Sequence, residues 1–537
     1  MPRITIDGRE VEVEAQATIL DAAEKLGIEI PTMCYLRGHE ATTSCMVCVV
    51  KVAGAASLVP ACGTSVRDGM VVESDCDEVR EARKAALELL LSDHVGDCVG
   101  PCATGCPAHM DIPLMIRQIA AGQMRGAIAT VKRDIALPAV LGRICPAPCE
   151  NVCRRAQHDG AVSVCLLKRY VADMDLQTAE PYLPRCLPKR GKRVAIIGAG
   201  PAGLAAAYYL QQDGFDCTVF DDHDEPGGML RYAVPEEELS HDVLAAEIAQ
   251  IRKLGVELRL RTRVGVSVSM EDVRREFEAV FIAVGVLKPG DAEALKLAAS
   301  DKVKVDAATY ATDLPGVFAG GDAVRRRKMT VRAVADGKEA ARSIAQYLLG
   351  EKVTGPAKAF NSRMGKLRDG EMEVFLEAAS SSARQTPADP AAGFTASEAR
   401  HESLRCLRCD CRKGDVCLLR QHAQTHDARQ TRYKAERRPF VQETQHPDVV
   451  YEPGKCIDCG ICIEIASQAR EKLGLTFVGR GFDVRVAVPF SAPLSDGLRL
   501  VGERCVAACP TGALARKDAQ NGQSPKEDET ICEGDER

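Results

Sequence analysis

A chain of 537 residues is long enough for several domains rather than one. Its 70 basic and 76 acidic residues leave a net charge of −6, which argues against a nucleic-acid surface. No apolar run approaches the roughly 18 residues of a membrane span, and the opening MPRITIDGREVEVE lacks the apolar stretch of a secretion signal. A cytoplasmic protein is therefore expected. The 24 cysteines fall mostly in tight groups. In a reducing compartment, grouped thiolates serve as metal or cluster ligands more often than as disulfides.

Residues 1–91 begin with RITIDGREVEVE, an alternating pattern about Asp7-Gly8 that predicts a hairpin. ATILDAAEKLGIEIP predicts a short amphipathic helix ended by Gly27 and Pro31. Cys34, Cys45, Cys48 and Cys62 follow with C-x10-C-x2-C-x13-C spacing. Two irons and two sulfides need four thiolates, and a pair two residues apart reaches one iron from a tight loop; a zinc site is the alternative use. This stretch resembles the N-terminal [2Fe–2S] domain of the large iron–sulfur subunit of respiratory complex I and of related hydrogenase and formate dehydrogenase subunits. The resemblance implies a β-grasp ferredoxin fold with one [2Fe–2S] cluster. Cys76 lies outside the pattern.

Residues 92–187 hold two further groups: His94, Cys98, Cys102 and Cys106, then Cys145, Cys149 and Cys153, joined by a stretch of helical periodicity. Seven cysteines in two groups fit two [4Fe–4S] clusters with ligands shared between them. CPAHMDIP, LPAVLGRICPAPCENVCRR and LLKRYVAD resemble the helical N-terminal domain of the NADPH-dependent glutamate synthase small subunit and of dihydropyrimidine dehydrogenase. The resemblance implies one cluster on Cys98, Cys102 and Cys153 and another on Cys106, Cys145 and Cys149. His94 is the candidate fourth ligand of the first. For the second, the resemblance implies a more distant side chain such as Gln or Glu; Lys168 stands near that position and should not ligate, and Cys165, three residues earlier, is the candidate.

Residues 188–355 open with KRVAIIGAGPAGLAAAYYLQQDGFDCTVFDD, a strand, a G-x-G-x-x-G turn, a helix and a second strand. Gly198 permits the turn, Gly200 lets backbone approach a pyrophosphate, and Gly203 lets the helix pack on the strand; Pro201 and Ala202 open that helix. Asp221 ends the second strand, where an acid can bind a ribose. Gly227-Gly228 in EPGGMLRYAVP and Gly321-Asp322 in LPGVFAGGDA resemble the second and closing flavin motifs of the glutamate synthase small-subunit family. The resemblance implies FAD, with Asp322 on the ribitol chain. Relatives insert an NADPH domain between the flavin halves. Here Gly285 and Leu314 are separated by 28 residues without a G-x-G-x-x-G, whereas a complete dinucleotide domain takes on the order of 100. The nicotinamide domain is expected to be absent.

Residues 356–400 read as a linker by composition, and 401–440 as a cysteine-rich metal segment. There Cys406, Cys409, Cys411 and Cys417 are spaced C-x2-C-x-C-x5-C, for either an iron–sulfur cluster or zinc. Within 441–517, Cys456, Cys459, Cys462 and Cys509-Pro510 follow the bacterial ferredoxin arrangement for one [4Fe–4S] cluster. Cys505 is left from a lost repeat. Residues 518–537 read as a disordered acidic tail, and Cys532 there is not a ligand candidate.

The expected architecture is multidomain, α+β and α/β: a β-grasp ferredoxin, a helical double-cluster domain, a Rossmann-like FAD domain and a small C-terminal ferredoxin-like domain. The expected cofactors are FAD, one [2Fe–2S], three [4Fe–4S] and the further centre at 406–417. No hydrolytic or acid–base set stands out. The expected function is electron transfer among flavin, clusters and partner redox subunits of the NADH/FMN, hydrogenase or formate dehydrogenase type, or soluble ferredoxin. The alternative is a self-contained NAD(P)H- or ferredoxin-linked flavin oxidoreductase.

Overall fold

The computed structural model describes residues 1–297, 301–326, 329–433 and 436–517. Cys532 and the tail lie outside the described residues. The chain divides into two compact units, one of which interrupts the sequence of the other. The first comprises 1–100, 359–378 and the segment from Cys409 onward; the second comprises 101–358 and 379–408.

In the first unit, strands β1 (Arg3–Ile6), β2 (Arg9–Glu12), β3 (Val49–Val52), β4 (Val59–Pro60) and β5 (Val71–Glu73) form one sheet in the order β2-β1-β5-β3-β4. The β1–β2 hairpin turns at Asp7-Gly8, as the alternation requires, and β1 pairs β5 in parallel. Helix Ile19–Lys25 starts at Thr18, whose hydroxyl accepts from the Asp21 amide while the Asp21 carboxylate takes the Thr18 amide. This capping box satisfies two otherwise orphaned donors. The helix lays Ile19, Ala22 and Ala23 on a core of Ile4, Ile6, Val50 and Val72. A second apolar core of the same unit gathers Cys34, Cys45, Cys417, Cys459 and Cys505 around Val449, Tyr451 and Leu514.

In the second unit, β6 (Arg193–Ile197), β7 (Asp216–Phe220), β8 (Glu257–Arg259), β9 (Ala279–Ile282) and β10 (Val317–Ala319) form a parallel sheet ordered β10-β9-β6-β7-β8. β6 and β9 are buried nearly throughout, as expected of central parallel strands covered on both faces. β9 passes to β10 through a connection holding the short helix Asp291–Ala294, and the two strands pair directly. Among the described residues β10 is the next strand after β9, and the two are sheet neighbours. Helices Ile112–Ala120, Met124–Asp134, Pro138–Ile144 and Val164–Leu176 form the helical part of this unit and share one core with the sheet.

The stretch 356–400 is not an open linker. It carries helix Glu371–Leu376, opens helix Ala396–Ser403, and buries Ser362, Met364, Glu371, Phe375 and Phe394. Its polar composition is compatible with burial because the carboxylates are saturated. Glu371 accepts both ends of the Arg437 fork at 2.5 and 2.6 Å and the Phe440 amide at 2.8 Å. In the other unit, Glu402 accepts the Ser163 and Gln385 amides, each at 2.7 Å, and pairs with the fully buried Arg405. Among the described residues no helix is long and apolar enough to cross a membrane.

Candidate cofactor cradle and cysteine-lined centres

The glycine motifs converge at the C-terminal ends of the parallel strands, where open α/β sheets bind ligands. A Cβ on Gly203 would lie 1.9 Å from the Gly198 carbonyl oxygen, so only glycine lets the helix start close on the turn; a Cβ on Gly200 would meet open space. The Gly227 amide donates to the Ala199 carbonyl at 2.9 Å, which sets Gly227-Gly228 against the turn. Gly321 packs on Ala202, and its amide donates to Asp336 at 3.1 Å. Asp322 lies in the 3-10 turn Gly321–Ala323. Pro201 opens helix Pro201–Gln212 beside the cradle. These residues fit a dinucleotide whose pyrophosphate faces Gly200 and the helix start.

Asp221 is placed differently from a free ribose acid. One carboxylate oxygen accepts the Ala199 amide at 2.6 Å; the other accepts the His223 amide at 3.0 Å and contacts the His223 ring at 2.7 Å. The short aspartate side chain reaches back under the glycine turn and braces it.

In the first unit, Cys34, Cys45, Cys48 and Cys62 are all buried. The Cys48 and Cys62 sulfurs are 3.3 Å apart, and the Cys45 amide lies 3.5 Å from the Cys34 sulfur. The four side chains thus lie in contact with one another, Cys34 touching both Cys45 and Cys62, as ligands of a compact binuclear core must. The contact with Cys62 lowers the Cys48 thiol to about 7, which favours the thiolate that binds metal.

Cys456, Cys459, Cys462 and Cys509 face one another in the same unit, and burial raises each of the first three thiols. Cys505 is fully buried beside them, its sulfur 3.7 Å from the Cys462 carbonyl oxygen.

The remaining groups differ from the sequence expectation. Cys98 lies with Cys411 and Cys417 in the first unit, while Cys102 and Cys153 belong to the other. The Cys411 amide donates to the Cys98 carbonyl at 3.4 Å, and the Ser362 amide lies 3.4 Å from the Cys98 sulfur. A Cβ at Gly512 would fall 2.3 Å from the Cys411 sulfur, so that backbone lies directly on the thiol. His94 lies near Lys455, and the adjacent Val95 amide donates to the Gly454 carbonyl at 2.7 Å. Burial, reinforced by Lys455, pushes the His94 imidazole down to about 4, the neutral form in which it can ligate. Lys455, itself buried and paired with Glu452, also faces Cys411 and Cys98.

The run Cys406–Cys417 is likewise divided. Cys411 and Cys417 join Cys98, Cys409 begins the return segment, and Cys406, Cys102 and Cys153 each pack against the core of the second unit. Arg155, two residues past Cys153, donates to the Arg405 carbonyl at 2.5 Å and so fixes the chain next to Cys406. The reason for both differences is the same. The second unit interrupts the first between Cys98 and Cys411, so residues distant in sequence meet.

Cys106, Cys145, Cys149 and Cys165 group together in the second unit, around the buried Lys168. The Cys165 contact lowers the Cys145 thiol to about 6, and burial raises the Cys149 thiol to about 12. Among the described residues no three cysteine sulfurs lie within 4.8 Å of one another, whereas tetrahedral zinc, with Zn–S near 2.3 Å, would draw its sulfurs to about 4 Å.

Spacing alone missed Lys455, Thr42, Lys413 and Lys338, whose contacts bridge the groups. Their sequence signal is weak, because a polar residue beside a cysteine motif is also the ordinary surface case.

Comparison with known proteins agrees with these parts. Residues 2–76 match the 2Fe-2S iron-sulfur cluster binding domain, 77–180 match dihydropyrimidine dehydrogenase domain II with its 4Fe-4S cluster, and 196–252 match the NAD(P)-binding Rossmann-like domain. The chain is 41% identical over 207 residues to the NADP(+)-dependent formate dehydrogenase subunit beta of Moorella thermoacetica, covering 35% of this chain and 29% of that protein. It is 38% identical over 213 residues to the NAD-dependent dihydropyrimidine dehydrogenase subunit PreT of Escherichia coli K12, covering 38% and 51%. It is 32% identical over 199 residues to the glutamate synthase [NADPH] small chain of Bacillus subtilis, covering 37% and 40%. The chain thus spans about half or less of these relatives. By its three matched segments, the chain joins a part similar to 2Fe–2S domains, a part similar to the dihydropyrimidine dehydrogenase 4Fe–4S domain and a part similar to NAD(P)-binding Rossmann-like domains.

Proposed function

We propose that this chain is the electron-transfer subunit of a multisubunit cytoplasmic oxidoreductase, holding FAD in the glycine cradle and relaying electrons to partner redox subunits through iron–sulfur centres. FAD supplies the exchange between two-electron and one-electron chemistry, and the clusters supply single-electron steps. The proposed ligand sets are Cys34, Cys45, Cys48 and Cys62 for [2Fe–2S]; Cys456, Cys459, Cys462 and Cys509; Cys106, Cys145, Cys149 and Cys165; and His94, Cys98, Cys411 and Cys417, each for [4Fe–4S]. Cys102, Cys153 and Cys406 contribute to a further centre.

The observation that carries this reading is that short polar contacts join the groups within each unit. In the first, the Thr42 hydroxyl donates to the carbonyls of Cys34 at 3.2 Å and Cys459 at 3.0 Å. Lys413, two residues past Cys411, donates to the Cys509 carbonyl at 2.8 Å. The Cys456–Cys509 group is therefore flanked by the [2Fe–2S] candidate on one side and the His94 group on the other. In the second unit, helix Thr330–Leu348 leaves the cradle's closing motif, and its Lys338 donates to Asp134 at 2.6 Å and to the Ala108 carbonyl at 3.3 Å, two residues past Cys106. These side chains hold neighbouring ligand loops in register, so that electron-transfer distances are set by the fold.

Partners of NADH/FMN, hydrogenase or formate dehydrogenase type would supply or take the electrons. The similarity to the formate dehydrogenase subunit and the short β9–β10 connection support that reading. The test is co-purification followed by EPR redox titration of the isolated chain. The proposal expects a redox subunit to co-purify and several distinct cluster signals to reduce in the biological range. Clusters that never reduce there would leave a structural scaffold instead.

A further inference from the structure

We infer that Lys168 is a built-in counter-cation of the Cys106–Cys145–Cys149–Cys165 centre, with Cys165 as its fourth thiolate, and that it raises the reduction potential of that centre. The inference rests on the proposal above that these cysteines hold a [4Fe–4S] core.

Helix Val164–Leu176 carries Cys165 and Lys168 three residues apart, hence on one face. That helix meets helix Pro138–Ile144 backbone to backbone: a Cβ on Gly142 would fall 2.7 Å from the Arg169 Cα. Cys145 caps the end of the latter helix. The close crossing brings the Cys165 sulfur within 3.5 Å of the Leu141 carbonyl oxygen and 3.7 Å of that of Cys145.

Lys168 is 4% exposed. A buried ammonium requires a compensating anion. Among the described residues the other two buried lysines have one at contact: Lys132 pairs with Asp175, and Lys455 with Glu452. The largest electrostatic partners of Lys168 are instead Cys165, Cys145, Cys106 and Cys149. The nearby Glu150 is already committed, accepting the Cys165 amide at 2.9 Å and pairing with Arg384 at 2.5 Å. The anion that Lys168 faces is therefore the sulfur set. A thiolate-ligated core gains one negative charge when it takes one electron, and no proton need follow. A fixed cation in a poorly screened site stabilises the reduced form more than the oxidised form, which moves the potential up.

The test uses the full chain with its clusters, titrated anaerobically by EPR, with the signal of this centre assigned by its loss in Cys145→Ala. Lys168→Met should retain the iron and weaken the one-electron reduction equilibrium tenfold or more, about 59 mV per tenfold. Lys168→Arg, which keeps the charge, should stay within about threefold of the parent. Lys168→Gln carries the same test if the methionine variant does not accumulate. A neutral variant at the parent potential would overturn the inference. So would an arginine variant shifted as far as a neutral one, because packing would then be the cause. If Cys145→Ala and Cys165→Ala remove no iron and no signal, it is the underlying cluster assignment that fails.

Discussion

The group at Cys106–Cys165 and the group at His94–Cys417 use the same chemistry but are assembled in different ways. The first draws its proposed ligands from one stretch of the second unit, Cys106 to Cys165. The second would take two ligands from before that unit and two from after it, with Gly512 and Lys455 lying against Cys411 from two further places in the chain. Each encloses a buried lysine, but Lys455 has a carboxylate partner and Lys168 faces thiols.

The comparison is broken most directly by deleting single ligands. Cys98→Ala and Cys411→Ala should abolish the same EPR signal and each remove about four irons per chain, while Cys102→Ala should abolish a different one. Loss of a common signal in Cys98→Ala and Cys102→Ala would restore the grouping by sequence adjacency. Next in size is the clamp that returns the chain to the first unit. Burial opposes ionisation of Glu371, but Arg437 and the amides of Arg368 and Phe440 outweigh it and hold the carboxyl at about 2. Because its folded value lies below the usual 4.5, the stabilisation is full above about 4.5 and lost as pH falls toward 2. Arg437→Met should cost about 3 kcal/mol in denaturant unfolding at neutral pH; no measurable loss would show that the segment is not held by this pair.

The second unit should respond to pH in the opposite sense. Glu247 is buried and takes the Ala139 and Val140 amides at 2.8 Å each, at the start of the helix that presents Cys145. Burial raises it to about 7. Its folded value exceeds the unfolded one, so the favourable state is fully present below about 4.5 and is lost as pH rises through 7. Glu247→Gln should flatten a slope of roughly 1–3 kcal/mol across that window, read from unfolding at several pH values. The smallest expected effect is Thr18→Ala, which removes the capping box and should cost about 1 kcal/mol in the first unit, seen as a lowered unfolding midpoint.

Much of this was legible in the sequence for a local reason. The strand–turn–helix about Gly198–Gly203 needs glycine at fixed offsets, and the Cys34–Cys62 and Cys456–Cys509 spacings are set by loop reach. The Cys98–Cys411 meeting could not be read, because nothing in local spacing records which distant segment returns. The segment 356–400 was misleading because serine, proline and alanine mark flexibility only when their backbone and nearby carboxylates lack partners; Glu371 and Glu402 have them. Asp221 shows the same limit at one residue: the right acid stands at the right strand end, yet its carboxylate serves the turn.

The central proposal is that this polypeptide holds a flavin among iron–sulfur centres and leaves pyridine-nucleotide chemistry to a partner, since a short connection carries β9 to β10, which pairs beside it. Its most direct test is anaerobic stopped-flow mixing of the isolated, cofactor-loaded chain with NADH and with NADPH. The flavin absorbance should persist with both nucleotides and bleach when a one-electron donor such as dithionite is added. Rapid bleaching by either nucleotide alone would contradict the account.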